Sequence, residues 1–138
     1  VPPPAAPPVG MVSGLPAVVE IMPELSREAD FFCIGTNDFV QYLLGVDRTN
    51  AQMASYYRPG HPAVLRAIKR ISDACLASGK ELSVCGEMAH DPDFIEFFVG
   101  LGITKLSLDP RQLYATQRII AAIDSSAARA HAAAMLKG

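Results

Sequence analysis

The stretch that decides the fold is Asp30-Phe31-Phe32-Cys33-Ile34-Gly35-Thr36-Asn37-Asp38. Residues 31–34 are an unbroken apolar run, too short for a helix and without the polar alternation of a half-solvated strand. Such a run reads as a strand covered on both faces, the habit of parallel sheets. It stops abruptly at Gly35, and the polar residues Thr36, Asn37 and Asp38 follow. In parallel α/β sheets ligands bind just beyond the C-terminal ends of the strands. One stretch thus predicts both a buried strand and a polar rim.

Similar units lie on either side. Gly10 to Leu15 is short and apolar, and 16–28 suits a helix, with Pro16 in its first turn and a break or kink at Pro23. Phe39 to Leu44 reads as a short helical turn. Pro62 to Leu76 is the clearest helix, because Val64, Leu65, Ile68, Ile71 and Leu76 recur at helical spacing and Gly79 follows as a C-terminal cap. Leu82 to Cys85 is a strand, Asp91-Pro92 a helix start with 94–99 inside it, Lys105 to Leu108 a last strand and Gln112 to Ile123 a helix. Strands and helices therefore alternate, which predicts an α/β fold of about four βα units around a parallel sheet. Residues 1–9 are a Pro-rich linker, 10–123 the folded part, and 124–138 an Ala-rich tail with good helix propensity and weak amphipathicity.

Composition excludes several function classes. Half of the residues are hydrophobic and 19% are charged, which suits a packed domain rather than a disordered chain. The formal net charge is −2 and Lys and Arg form no block, so nucleic acid is not an expected partner. No apolar run approaches the roughly 20 residues that a membrane span needs. The three cysteines, Cys33, Cys75 and Cys85, form no Cys-x-x-Cys, and an odd count without that spacing points to reduced thiols and a cytoplasmic setting.

Three strand ends carry polar residues: 35–38, Cys85-Gly86-Glu87, and Ser107-Leu108-Asp109. Asn37 and Asp38 together could hold a hard cation and orient its waters, and an Asn/Asp turn or helix cap accounts for the same pair. Cys85 at a rim could donate a proton, although free cysteine is usually a small core residue; Cys33 and Cys75 are read as core. Arg48 suits a phosphate or carboxylate, or an ion pair with Asp47. His61 and His90, beside Pro62 and Asp91, are read as structural.

Taken in order, Phe31-Phe32-Cys33-Ile34-Gly35-Thr36-Asn37-Asp38, Gln41-Tyr42, Val46-Asp47-Arg48-Thr49-Asn50, His61-Pro62-Ala63-Val64-Leu65 and Val84-Cys85-Gly86-Glu87-Met88-Ala89 resemble, at matching spacings, the motifs of Enzyme I of the bacterial phosphotransferase system. The resemblance covers about residues 10–123. The wording of these motifs is closer to Enzyme I than to pyruvate phosphate dikinase or phosphoenolpyruvate synthase, and the Pro-rich lead-in is similar to the nitrogen-branch type.

The resemblance implies the C-terminal half of a (β/α)8 TIM barrel, since a whole barrel takes about 250 residues. It implies a part in phosphoryl transfer from phosphoenolpyruvate, with magnesium, to a protein histidine, and from there to a phosphocarrier protein. On this chain Asp38 matches the metal-ligand aspartate, Asn37 a phosphate-binding asparagine, Arg48 a substrate-phosphate arginine and Cys85 the cysteine that protonates the pyruvate enolate. The family's Gly-x-Met-Val/Ile-Glu-x-Pro is Gly10-Met11-Val12-Ser13-Gly14-Leu15-Pro16 here, so Gly14 stands where a second metal-ligand glutamate is expected. Magnesium is then expected to be weakened or lost. The histidine domain and the first half-barrel have no counterpart in these residues. Two readings follow: a phosphoenolpyruvate-binding portion inactive as an isolated chain, or a non-catalytic half-barrel acting as a binding or interaction module. In either, an open half-barrel is expected to form a homo-oligomer or to be completed by another chain.

Overall fold

The computed structural model describes residues 6–138. The expected linker, 1–9, lies partly outside them. Four strands, β1 (Gly10–Ser13), β2 (Phe31–Gly35), β3 (Glu81–Cys85) and β4 (Lys105–Leu106), form one sheet in the order β1-β2-β3-β4. Every neighbouring pair is parallel. Six α-helices alternate with them: α1 (Met22–Glu28), α2 (Thr36–Leu44), α3 (Pro62–Ser78), α4 (Pro92–Gly100), α5 (Leu113–Ala122) and α6 (Ser125–Lys137). This is the α/β arrangement of four βα units expected of half a (β/α)8 barrel.

Side-chain alternation sorts the sheet into two unlike faces. Phe32, Ile34, Leu82 and Val84 are buried against a core that includes Val64, Leu65, Ile68 and Ile71 of α3 and Phe97 and Phe98 of α4. Each such side chain contributes about 1.5–3 kcal/mol by leaving water. The other face carries Val12, Cys33, Ser83 and Lys105 in one register row and Phe31 opposite Glu81 in another. Val12 is 66% exposed and Phe31 37%. The expectation of burial on both faces therefore holds for one face only. Cys33, read from sequence as core, lies half-exposed on the open face, whereas Cys75 is buried.

Local chemistry explains the helix boundaries. The 16–28 stretch divides into a 3-10 turn at Pro16–Glu20 and α1, and Pro23 stands in the first turn of α1, where its missing N–H costs nothing. The Nδ1 of His61 accepts from the Ala63 N–H and caps α3, and Gly79 ends that helix at φ 65°. The N-terminal cap is the structural role read for His61. Leu76, counted among the buried positions of α3, is instead 63% exposed. The last strand is Lys105–Leu106 rather than 105–108, because Asp109 caps a 3-10 turn at Pro110–Gln112 and pairs with Arg111. Asp109 is thus engaged locally with Arg111.

The Ala-rich tail is α6, and it packs on α4. Ala128 and Ala132 are buried, and Gly100 at the end of α4 lies directly beneath them. Small residues on both helices are what permit the close approach. A Cβ on Gly100 would collide with the Ala128 carbonyl oxygen and lie 2.8 Å from the Ala132 Cβ. Gly100→Ala should therefore destabilise the chain by roughly 1–3 kcal/mol through overpacking, beyond the gain of up to about 1 kcal/mol in helix propensity. Urea unfolding would give the loss, with amide exchange in α6 rising first. An unchanged midpoint and unchanged α6 protection would refute the packing argument.

Candidate functional site

The C-terminal ends of β2 and β3 stand side by side, because Gly35 pairs with Cys85 in the parallel register. The residues that follow each strand therefore meet. Thr36, Asn37 and Asp38 begin α2 directly, without an intervening turn. The sequence reading began this helix at Phe39, and the polar residues are its first turn instead. The Thr36 hydroxyl donates to the Cys85 carbonyl at 2.8 Å, and Asn37 Oδ1 accepts from the Glu87 N–H at 2.8 Å. Between these two bonds Gly86 adopts φ 92°, a conformation open to glycine.

Asp38 faces β1. A Cβ on Gly14 would lie 3.5 Å from the Asp38 Cβ and 3.9 Å from its Oδ2. A side chain at position 14 would thus project beside the Asp38 carboxylate. With glycine there, a cavity of about 270 Å³ opens, lined by Met11, Val12, Gly14, Leu15, Val18, Asp38 and Tyr42. Among the described residues no three His, Cys, Asp or Glu side chains gather closely enough to hold a metal ion. Asp38 alone does not make a divalent-metal centre, since even magnesium, which keeps most of its waters, is held by one or two carboxylates together with substrate oxygens.

Arg48 lies on the same rim. Its guanidinium approaches the Glu87 carboxylate at 4.0 Å, both side chains being well exposed. Such a pair is weak in water and leaves the guanidinium free to exchange partners. The alternative partner, Asp47, is spent locally, accepting from the Thr49 N–H and hydroxyl, which hold its carboxyl below the usual range. A second cavity, of about 190 Å³, is bounded by Arg48, Thr49, Ala54, Tyr57 and Glu87. Tyr57 has no place in the sequence reading. Its hydroxyl lies 3.5 Å from the Asn37 carbonyl oxygen, and burial first, then the Glu87 charge, raises its pKa above the usual value. No local pattern marks it, because it belongs to an irregular segment and reaches the rim only through the fold.

Cys85 is half-buried on the open face. Burial, then a hydrogen bond with Cys33, then the charges of Cys33 and Asp38, push its thiol up to about 11. At neutral pH it is therefore a protonated thiol, the form able to give up a proton. All four sequence candidates, Asn37, Asp38, Arg48 and Cys85, thus come to one rim. Together they offer a guanidinium and an amide for an anion, one carboxylate for a cation, and an S–H.

Comparison with known proteins bears on this arrangement. The family model described as PEP-utilising enzyme, PEP-binding domain, matches residues 3–125. A Salmonella typhimurium protein named phosphoenolpyruvate-dependent phosphotransferase system is 39% identical over 118 residues, 86% of this chain and 16% of that protein. The phosphoenolpyruvate-protein phosphotransferase of Enterococcus faecalis is 34% identical over 118 residues, 86% of this chain and 20% of that protein. That of Geobacillus stearothermophilus is 42% identical over 100 residues, 72% of this chain and 17% of that protein. The chain spans about a fifth or less of the length of these relatives.

The thiol gives a direct pH test. Alkylation of Cys85, followed by peptide mass mapping, should rise with a midpoint at about 11 rather than 9.0. The fold favours the neutral thiol, so the stability this group contributes is full below 9.0 and is lost as pH rises through about 11. A midpoint near 9.0 would show that the thiol is not desolvated as described.

Proposed function

Because the chain belongs to the PEP-binding domain family of the PEP-utilising enzymes, we infer that its strand-end rim is the phosphoenolpyruvate-binding portion of an Enzyme I-type phosphotransferase. The observation that carries this reading is the meeting of the two polar strand ends: Asn37 bonds the Glu87 backbone, Glu87 faces Arg48, and Cys85 shares the turn. In this reading Arg48 binds the substrate phosphate through parallel N–H donors. Asn37, its oxygen already used, turns its amide N–H groups to the same anion. Cys85 holds the proton that the enolate of pyruvate takes up. Asp38 would face a magnesium ion, which in this family supplies positive charge to the phosphoryl group. With glycine at position 14 in place of a second carboxylate, that ion would be weakly held in this chain.

The chain alone is proposed to be inactive. Phosphoryl transfer is catalysed by positioning and compensating charge, and neither an acceptor histidine of the kind the family uses nor the rest of the barrel is recognisable in these residues. The open face with Val12 and Phe31 is, in this reading, the surface that the rest of a barrel covers, whether by a second copy or by another chain. Service to a phosphocarrier protein follows only for the completed assembly. Gly14 favours a second reading, a half-barrel that keeps the fold as a binding or interaction module and has lost the chemistry.

Isothermal calorimetry with magnesium and phosphoenolpyruvate separates them. Gly14→Glu should tighten binding by about tenfold or more, because even indirect support of a metal is worth about 10–100-fold. Arg48→Ala should abolish binding. If neither the unmodified chain nor Gly14→Glu binds, the module reading prevails. Enzyme-like release of pyruvate from phosphoenolpyruvate by the unmodified chain would overturn the claim of inactivity.

A further inference from the structure

The side chains at the start of α2 are used in an unusual way. Polar residues in a first helical turn ordinarily serve their own helix, accepting from its free N–H groups. Here Gly35 stands at the cap position with no side-chain cap, and neither Thr36 nor Asn37 bonds within α2. Both reach across to the turn after β3, which is 49 and 50 residues away in sequence. The Thr36 hydroxyl is fully buried and donates to the Cys85 carbonyl, and Asn37 Oδ1 holds the Glu87 N–H.

These two bonds flank a single residue, Gly86, whose φ of 92° turns the chain sharply between them. The fit is tight: a Cβ on Gly86 would collide with the Thr36 hydroxyl and lie 2.8 Å from Asn37 Oδ1. The peptide planes on both sides of Gly86 are therefore fixed from the neighbouring strand end. The half-buried Cys85 side chain, carried on this fixed backbone, lies on the open face within hydrogen-bond reach of Cys33 and close to Asp38.

We propose that Thr36 and Asn37 form a clamp on the Cys85–Glu87 turn, and that Thr36 is a positioning residue for the Cys85 thiol. Thr36 is fully buried, with its hydroxyl turned to the Cys85 carbonyl, and so acts through the Cys85 backbone. The proposal rests on the functional reading for its chemical meaning, but its geometry and its test do not. The bond to the Cys85 carbonyl is part-buried, so water replaces a lost donor only incompletely, and loss of the hydroxyl should loosen the turn rather than leave it in place.

The test is iodoacetamide modification at one fixed pH, with Cys33, Cys75 and Cys85 followed separately by peptide mass mapping in the whole chain. Thr36→Val keeps the shape and removes the donor. It should speed modification of Cys85 roughly five- to tenfold, the factor corresponding to one ordinary hydrogen bond, while Cys33 changes by less than about twofold. Thr36→Ser restores the donor and should return Cys85 to within about twofold of the unmodified chain. A Thr36→Val rate equal to that of the unmodified chain, or a Thr36→Ser rate equal to that of Thr36→Val, would overturn the clamp. Should Thr36→Val unfold, which reactive Cys75 would reveal, amide exchange in the unmodified chain decides. Protection of the Glu87 N–H supports the clamp, and exchange at the rate of a free peptide overturns it. Failure of phosphoenolpyruvate to bind in calorimetry, with the thiol results as expected, would remove the functional reading and leave the clamp standing.

Discussion

The parallel register between β2 and β3, with Phe31 opposite Glu81 and Gly35 opposite Cys85, is the constraint on which the rest of the molecule depends. Side chains in a strand alternate with a period of two, so a slip of one residue would exchange the faces of a whole strand. In the observed register Phe32 and Leu82, and Ile34 and Val84, pair on one buried face, and Cys33, Ser83 and Cys85 lie on the open face. The same pairing brings both strands to an end at the same level. Thr36-Asn37 and Gly86-Glu87 then have no choice but to meet. Packing and chemistry are thus two consequences of a single alignment, and α3, which seals the buried face, secures the polar rim as well.

Most of the fold was legible because the signals for it are local. An unbroken apolar run marked β2, a short stretch with Leu82, Val84 and Cys85 marked β3, helical spacing marked α3, and Asp91-Pro92 marked the start of α4, where the Asp91 carboxylate does accept from the Asp93 N–H. What was not legible depends on contacts between distant segments. Cys33 looks like core in an apolar run, since sequence cannot say that one face of the sheet lacks a cover. Leu76 is apolar and near the end of α3, yet it is exposed while its neighbour Cys75 is buried, so it lies off the face that the core covers. The tail helix has too weak a stripe to announce its burial, because its contact with α4 is made by alanine and glycine, which carry little hydrophobic signal.

The site was legible in its residues and not in its connections. Asn37, Asp38, Arg48 and Cys85 stood out as polar residues at or just beyond strand ends or in loops, and the fold gathers them. That Asn37 would spend its oxygen on the Glu87 N–H, or that Glu87 rather than Asp47 would face Arg48, could not be read from spacing. Position 14 shows how far the two kinds of information reach: the resemblance implies a glutamate there, and the geometry adds only that a Cβ on Gly14 would lie 3.9 Å from the Asp38 Oδ2.

Asn37 illustrates why such a rim tolerates little exchange. An asparagine side chain has one acceptor and two donor N–H groups on opposite arms. With the oxygen turned to the Glu87 N–H, the amide nitrogen is directed the other way, so the backbone bond fixes the donor's aim. Aspartate could keep the bond to the backbone but would replace the donor with a second negative charge next to Asp38, repelling an anion. Serine or alanine would free the Glu87 N–H and release the turn that carries Cys85. A side chain that accepts on one arm and donates on the other ties the two strand ends together and still presents an N–H donor at the rim, so the bond that holds the fold also leaves the group that the proposed anion site calls for.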